Sequence, residues 1–270
     1  MIELFKNDEN ILNRNSSKGN QLKWSNSGIW YKADYTGYEG LSEFLISHLL
    51  CSSSLDKKEF VVYEPEQIKY KSSVYNGVKS NDFLYDDWQI ITLDRLFHTV
   101  YGKKLSEMVW HIHDVRERLE YLVQQVERMT GLRDFGIYMN KLLTIDALFL
   151  NEDRHMHNIA VLMNGRGDYR YCPVFDNGAA LLSDTTMDYP LYDNIYDLMK
   201  SVKAKTISRD FDEQLDVSEE LYGCNLYFSF SKKDVKGLLD EIDYYDTVIR
   251  KRVETVVYCQ MDKYSYLFNK

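Results

Sequence analysis

The chain has 270 residues, of which 44% are hydrophobic and 28% charged, a composition typical of a folded globular protein. Its 42 acidic and 33 basic residues leave a net charge of −9, which argues against direct binding to a nucleic-acid backbone, because proteins that do so are basic. The four cysteines are scattered, and no apolar segment is typical of a signal peptide or reaches the ~18 residues of a spanning helix, so we expect a cytoplasmic protein without a membrane span.

The composition of residues 1–86 predicts a small, β-rich N-lobe. Clusters of Ser, Asn and Gly indicate turns or loops at 15–20 and 25–28. Apolar residues at helical spacing predict a helix over 38–50. Strands are expected at 21–24, 29–33, 60–64 and 83–85, with a loop and hairpin in 69–82.

Residues 87–270 predict a larger, mainly helical C-lobe. The most regular pattern runs over 104–130, where apolar residues recur at alternating steps of three and four and predict one long helix. The next helix, over 134–150, is apolar nearly all round at its end, so we expect it to be buried. Further helices are predicted at 87–101, 193–201, 231–242 and 244–268, whereas the acidic stretch 209–219 is typical of a surface loop.

Polar residues are concentrated where this buried helix ends, in the run Asn151-Glu152-Asp153-Arg154-His155-Met156-His157-Asn158. An apolar strand follows, then a glycine-containing turn, then a second apolar strand that leads to Asp176. Because a hairpin places its strand ends side by side, we expect Asp153, Asn158 and Asp176 to share one small volume. Two carboxylates and one amide oxygen suit Mg²⁺, which prefers oxygen ligands.

Two motifs carry a resemblance to a known family, namely Asn151-x-Asp153-Arg154-His155-x-x-Asn158 and Phe175-Asp176-Asn177-Gly178. Together they resemble the HipA-like serine/threonine kinases, which include the CtkA-type bacterial kinases and are distantly similar in lobe plan to phosphatidylinositol kinases. The specific match covers about forty residues, over 143–182. The resemblance implies an α+β, two-lobed protein-kinase-like fold. It also implies an ATP- and Mg²⁺-dependent phosphotransferase that acts on a Ser or Thr hydroxyl of an unknown protein substrate.

The resemblance also implies a role for individual residues. Asp153 matches the catalytic base, which accepts the proton of the substrate hydroxyl. Asn158 and Asp176 match the two metal-binding positions.

Nucleotide-binding positions follow from the same resemblance. Lys32 matches the lysine that holds the α- and β-phosphates, and Glu43, with Glu39 as the alternative, matches the carboxylate that pairs with it. The run Gly19-x-Gln21-x-Lys23 resembles the short phosphate loop of the family. Some relatives autophosphorylate a serine in this loop and are thereby switched off, which makes Ser16 and Ser17 the candidates here.

The chain departs from the family pattern in two respects. We expect no counterpart of the N-terminal small domain of full-length HipA toxins, which bears on a toxin–antitoxin role more than on kinase activity. No single residue of 60–87 stands out as the contact for adenine.

Three other functions stay open at this stage. One is a catalytically silent relative that binds nucleotide, another is a lipid or small-molecule kinase, and the third is a metal-dependent hydrolase that uses the Asp/His cluster. His155 and His157 are two residues apart, a spacing that metal ligands can have. Zinc sites normally need further ligands at recognisable spacing, and none is evident. We therefore expect a structural role for His155, with a hydrogen bond to the backbone.

Overall fold

The computed structural model describes residues 1–5 and 21–268, which form two compact units, each assembled from separate segments of the chain. Unit 1 contains Met1–Phe83, Phe175–Val202 and Phe228–Lys270, and unit 2 contains Leu84–Val174 and Lys203–Tyr227. The division into lobes 1–86 and 87–270 stays a prediction. No helix in the described part of the chain combines the length and the apolar character that crossing a bilayer requires.

Unit 1 is built on a five-stranded sheet in the order β1-β4-β5-β3-β2. Its strands are β1 Ile2–Leu4, β2 Lys23–Asn26, β3 Ile29–Ala33, β4 Glu64–Tyr70 and β5 Ser73–Asn81. All neighbours are antiparallel except β1 and β4, which are parallel. One face of the sheet buries the cluster Leu4, Trp24, Tyr31, Ala33, Ile68 and Tyr70. In this register Lys23 of β2 lies opposite Lys32 of β3.

The predicted strands at 60–64 and 83–85 are wrong. Phe60, Val61 and Tyr63 are buried, but they lie in a non-strand segment, and β4 begins only at Glu64. These residues are apolar because they are buried, and not because they pair with a neighbouring strand. Residues 83–85 have no regular structure.

Helix α1, Glu39–Leu50, confirms the predicted helix and packs on the sheet through two glycines. A Cβ atom on Gly40 would lie 2.8 Å from the Cα of Gly77, and a Cβ on Gly77 would lie 2.1 Å from the backbone oxygen of Lys32. Both distances are shorter than real Cβ contacts, so Gly40 permits the close approach of α1 to β5, and Gly77 permits the close approach of β5 to β3.

The remaining helices of unit 1 confirm three predictions: α6 Ile195–Ser201, α8 Lys232–Asp240 and α9 Thr247–Lys263, with a 3-10 turn at Ser265–Phe268. Ser231 and Asp234 form a capping box at the start of α8. In α9 the buried Arg252 donates hydrogen bonds to the backbone oxygens of Tyr189, Pro190 and Leu191 at 2.9, 3.0 and 3.1 Å. The segment that follows Asp176 is thereby tied to α9.

Unit 2 combines a three-stranded antiparallel sheet with five helices among its described residues. The strands are β6 Gln89–Thr92, β7 Ala160–Met163 and β8 Tyr169–Tyr171, and the helices are α2 Leu93–Tyr101, α3 Leu105–Trp110, α4 Val115–Thr130, α5 Phe135–Phe149 and α7 Phe211–Tyr222. Helix α5 confirms the predicted buried helix, and its end at Leu150 adopts a positive φ of 53°. The next residue opens the polar run.

Three predictions in unit 2 are wrong. The helix predicted over 104–130 is two helices, because the Asp114 side chain accepts a hydrogen bond from the N–H of Glu117 at 2.9 Å and starts α4 anew. The helix predicted from residue 87 begins at Leu93, after β6. The acidic stretch predicted as a loop is helix α7, which Asp210 caps by accepting from the N–H groups of two residues of its first turn.

Candidate active site

Lys32 lies at the centre of a buried polar cluster in unit 1. Its Nζ donates to Oε1 of Glu43 at 2.6 Å, to Oδ1 of Asp176 at 2.8 Å and to the hydroxyl of Tyr63 at 3.2 Å. Strand β3 supplies the lysine and α1 supplies Glu43, so the close packing of α1 on the sheet sets this contact. All three donors of the ammonium group are therefore used.

The electrostatics of the cluster keep Lys32 charged. Burial alone would lower the pKa of its amine, but the carboxylates of Asp176 and Glu43 outweigh burial and raise that pKa well above its ordinary value. Burial has the opposite effect on an acid: it raises the pKa of the Tyr63 hydroxyl, which therefore stays protonated beside the lysine. The cluster thus holds a permanent positive charge at a fixed place.

Glu43 and Glu39 do different things in the structure. Glu43 is 1% exposed; one of its oxygens binds Lys32, and the other accepts from the backbone N–H of Asn177 at 2.9 Å. Glu39 instead holds the loop that precedes α1. Its carboxylate accepts from the N–H groups of Tyr35, Thr36 and Gly37 at 3.2, 2.7 and 3.1 Å. Glu43 is therefore the carboxylate that contacts both Lys32 and the chain next to Asp176.

Asp176 has an unusual backbone, with φ of +62°. This left-handed conformation costs an L-residue about 1–2 kcal/mol, although Asp tolerates it better than most. Residues held in such conformations are enriched at functional sites. The side chain of Asp176 remains 27% exposed, and Nζ of Lys23 approaches its Oδ1 to 3.7 Å.

The phosphate-loop residues are described only in part. Gln21 donates from Nε2 to the backbone oxygen of Ala33 at 3.0 Å, which ties the chain before β2 to the end of β3. Lys23 begins β2 and reaches Asp176. Gly19, together with Ser16 and Ser17, lies outside the described residues.

Unit 2 holds the other two residues that the resemblance selects. Asn158 donates from Nδ2 to the backbone oxygen of Asp153 at 2.8 Å and to its Oδ2 at 3.1 Å. The Asp153 carboxylate is thus oriented by an amide five residues later in the same loop. Its other oxygen lies 3.7 Å from Nε2 of His155.

His155 has the backbone hydrogen bond that the sequence predicts. Its Nδ1 accepts from the N–H of His157 at 3.2 Å, which leaves Nε2 as the N–H of the neutral ring, directed at Asp153. Burial lowers the pKa of His155 despite the opposing effect of Asp153, so the ring is neutral at pH 7. Within residues 1–5 and 21–268, no group of three or more His, Cys, Asp and Glu is arranged to hold a metal ion.

The two side chains assigned to metal binding fit Mg²⁺ by their donor chemistry. Asp176 offers a partly exposed carboxylate in unit 1, and Asn158 of unit 2 uses its Nδ2 toward Asp153, which directs its amide oxygen elsewhere. Carboxylate and amide oxygens are hard ligands of the kind that Mg²⁺ takes in proteins. These residues therefore fit the ion chemically.

Two functional candidates were missed in the sequence. Tyr63 contacts Lys32 through its hydroxyl, and the lysine Nζ also lies 4.8 Å from the centre of its ring. Asp146, within α5, binds the loop that carries Asp153. Only Asp146 had a local signal, as a lone carboxylate in the apolar run Leu142 to Phe149.

Comparison with known proteins rests on structure. No family model matches the sequence, and no curated protein is detectably similar to it. The proinflammatory kinase CtkA of Helicobacter pylori superposes with a TM-score of 0.62 at 15% identity, over 92% of each chain. A chain of the Shewanella oneidensis MR-1 complex of HipA, HipB and operator DNA gives a TM-score of 0.53 at 12% identity.

The chain has the fold of these kinases. The predicted α+β, protein-kinase-like fold is confirmed, as is the resemblance to HipA-like and CtkA-type kinases at the level of the fold. Coverage differs between the two relatives, because the match takes in 94% of this chain but only 64% of the chain from the HipA complex.

Proposed function

We propose that the chain is a HipA-like kinase, which transfers the γ-phosphoryl group of ATP to a Ser or Thr hydroxyl with the help of Mg²⁺. The observation that carries the proposal is the buried contact of Lys32 with Glu43 and Asp176, at 2.6 and 2.8 Å. Phosphoryl transfer needs mainly positioning and charge neutralisation, and this cluster supplies a fixed cation beside a carboxylate suited to metal.

The residues of unit 1 would bind and neutralise the phosphates. Glu43 orients Lys32 toward the α- and β-phosphates, and Tyr63 shares that task by occupying a third donor of the ammonium group. Gln21, Lys23 and Gly19 would line the phosphate loop. Lys23 adds a second cation, since its Nζ lies 3.7 Å from Asp176.

The residues of unit 2 would handle the proton. Asp153 accepts the hydroxyl proton of the substrate while the hydroxyl oxygen bonds to the γ-phosphorus. The bond from that phosphorus to the β,γ-bridging oxygen breaks, and ADP leaves with the electron pair. Asn158 holds one oxygen of Asp153, and His155, neutral at pH 7, faces the other.

Asp176 and Asn158 would supply protein ligands to Mg²⁺. When bound, the ion neutralises charge on the phosphates and on the departing ADP. Asp176 also accepts a hydrogen bond from Lys32 at 2.8 Å, so its carboxylate would serve both the lysine and the ion.

The decisive experiment is phosphate transfer from radiolabelled Mg-ATP to the chain itself and to a generic Ser/Thr protein substrate. Asp153→Ala should remove transfer while leaving ATP binding largely intact, because its carboxylate acts only on the hydroxyl proton. The matched control is Asp216→Ala, at an exposed carboxylate of α7 in the same unit. Full transfer by Asp153→Ala would mean that this carboxylate is not the base, and binding of ATP without transfer by the wild type would favour a silent relative.

Autophosphorylation of the phosphate loop is the second part of the proposal. Ser16 and Ser17 are the candidate acceptors, with Asp153→Ala as the inactive reference. Mass spectrometry after incubation with Mg-ATP should place phosphate on one of these serines in the wild type only. Phosphate found solely at other positions would contradict the loop assignment, and label passing to lipid or a small molecule but not to protein would favour that class of kinase.

We also propose a cytoplasmic location and no direct contact with nucleic acid. None of the four cysteines forms a disulfide, which suits a reducing compartment. The net charge of −9 disfavours a nucleic-acid backbone as partner. Cell fractionation and a gel-shift assay with duplex DNA would test the two statements.

A further inference from the structure

Asp146 is a fully buried carboxylate in α5, a helix whose neighbouring positions are apolar. Both of its oxygens accept from Nε of Arg154 at 3.2 Å, and Oδ1 also accepts from Nδ2 of Asn151 at 3.0 Å. Its backbone oxygen accepts the N–H of Asn151 at 2.9 Å. One residue of the helix thus holds the polar loop at two of its positions.

The two partners of Asp146, Asn151 and Arg154, also bind the backbone of Asp153 and Asn158. The side-chain oxygen of Asn151 accepts from the N–H of Asp153 at 3.3 Å. Arg154 is 2% exposed, and its Nη1 lies 3.4 Å from the backbone oxygen of Asn158. Asp153 and Asn158 are therefore each one hydrogen bond away from a partner of Asp146.

The loop is also held from outside. The hydroxyl of Thr206 donates to the backbone oxygen of Arg154 at 2.6 Å. Arg154 is thereby held at its guanidinium by α5 and at its backbone by a second segment of unit 2. The loop has little freedom to move its carboxylate relative to α5.

A pair of this kind is not an efficient way to stabilise a core. Desolvation of two buried charges often exceeds their mutual attraction, so an apolar pair of similar size is commonly as stable or more stable. Burial raises the pKa of Asp146 to about 6, even though Arg154 and Asn151 act in the opposite direction. The pair is better explained by the conformation that it imposes on the loop.

We propose that Asp146 is a positioning residue, which through Arg154 and Asn151 fixes the loop 151–158 and with it Asp153 and Asn158. The inference rests on the proposed kinase function for its catalytic consequence, whereas the anchoring itself does not. A misplacement of about 1 Å at a reactive group can cost about 100-fold in rate, which is the scale expected if the anchor is lost.

The test compares Asp146→Leu with the double variant Asp146→Leu/Arg154→Met. The single variant leaves a buried guanidinium without its carboxylate and should be strongly destabilised. The double variant replaces both charges by apolar groups of similar shape, so its melting temperature should recover most of the loss. A purely structural pair would recover its function together with its stability.

The control lies on the same helix. Asn140 is fully buried, and its side chain binds Ser218 at 3.0 Å and the N–H of Asn225 at 3.0 Å, without contacting the loop. Asn140→Leu removes a buried polar network from α5 and should lower the melting temperature. It should leave exchange of the loop amides unchanged.

Two readouts decide the outcome. In the double variant the amide hydrogens of Asp153, His155 and Asn158 should exchange faster, and transfer should fall about 100-fold with unchanged ATP affinity. Wild-type exchange of these amides, or wild-type transfer, in the double variant would overturn the proposal. If the wild-type chain transfers no phosphate at all, the kinase function fails, and the exchange data alone decide whether Asp146 anchors the loop.

Discussion

Nζ of Lys32 lies 2.8 Å from Oδ1 of Asp176, 144 residues further along the chain. The contact joins the proposed phosphate-binding lysine to a proposed metal ligand inside one compact unit. The lysine ammonium group therefore neutralises the carboxylate that we propose as a ligand of Mg²⁺.

Lys32→Met should abolish most transfer. Loss of one fixed cation beside the phosphates is expected to reduce the rate by about 100-fold or more. It also leaves the buried Glu43 without its partner, which should destabilise the fold by about 3–5 kcal/mol. Initial rates and chemical unfolding measure the two effects.

Two controls separate loss of folding from loss of function. Lys58→Met changes an exposed lysine of the same unit and should alter neither quantity. Lys32→Arg keeps the charge and much of the stability but should still transfer slowly, because a planar guanidinium does not replace a compact ammonium group. Normal transfer by Lys32→Met would rule out the lysine as a phosphate ligand.

Asp176→Asn should uncouple ATP binding from Mg²⁺. Asn tolerates a positive φ as Asp does, so the backbone at +62° should be preserved while the negative charge is lost. In calorimetric titrations, chelation of Mg²⁺ should weaken ATP binding by the wild type but have little further effect on the variant. Asp243→Asn, at an exposed position of the same unit, serves as the control, and an Asp176→Asn protein that still requires Mg²⁺ for tight binding would contradict the assignment.

Replacement of Glu39 or Glu43 by Ala should affect different properties. Glu43→Ala frees Lys32 and the N–H of Asn177, so transfer should fall about 100-fold. Glu39→Ala removes hydrogen bonds to the loop before α1 and should lower the free energy of unfolding by about 1–3 kcal/mol, with a much smaller effect on transfer. Each variant is the control for the other, and equal losses of transfer would show that the two roles are not separate.

Stability should fall as the pH rises from about 4 to about 8, owing to Asp34. Desolvation and the nearby charge of Glu39 raise the pKa of this carboxyl from 3.8 to about 8, although it accepts from the N–H of Gly40 and the hydroxyl of Tyr245. Between these values the folded state holds a proton that the unfolded state releases, so stability declines by at most about 1.4 kcal/mol per pH unit.

Chemical unfolding at several pH values measures this effect. Asp34→Asn mimics the neutral carboxyl and should flatten the pH dependence in that window. Asp243→Asn should leave the wild-type slope unchanged. Identical slopes in the wild type and Asp34→Asn would assign the pH dependence to other groups.

The sequence predicted those elements whose pattern and burial agree. Helix α5 is mostly apolar in its second half, and α8 begins with a capping box, so both were found. Helix α7 was missed because its acidic residues dominate the composition. Its buried positions Phe211, Gln214, Leu215 and Ser218 do recur at helical spacing, which was the better signal.

Other elements were predicted wrongly because the features that decide them leave no hydrophobic pattern in the sequence. The apolar period of 104–130 continues across the break, and only the capping hydrogen bond of Asp114 marks the start of α4. Strand β4 has the sequence EPEQIKY, in which only Ile68 and Tyr70 are buried, so it lacked an apolar pattern. Here the partner strand β5 decides the structure.

The sequence predicted the central residues of the candidate site but not the residues that hold them in place. Lys32, Glu43 and Asp176 were selected by motif, and the structure brings them together. Tyr63 was not, because contact across thirty-one residues leaves no trace in a local pattern. Asp146 required knowledge of where Arg154 points, which depends on tertiary packing.

Gly40 and Gly77 determine how closely Glu43 and Lys32 can approach each other. Glu43 follows Gly40 by three residues on α1, and Gly77 pairs with Ala33, next to Lys32. A methyl group at Gly40 would clash with the backbone of Gly77 and push α1 away from the sheet, whereas one at Gly77 would clash with the backbone oxygen of Lys32 in β3. Either change would disturb the contact between Glu43 and Lys32. Such a chain would keep the side chains of Lys32 and Glu43 but lose the distance of 2.6 Å between them, on which the proposed function depends.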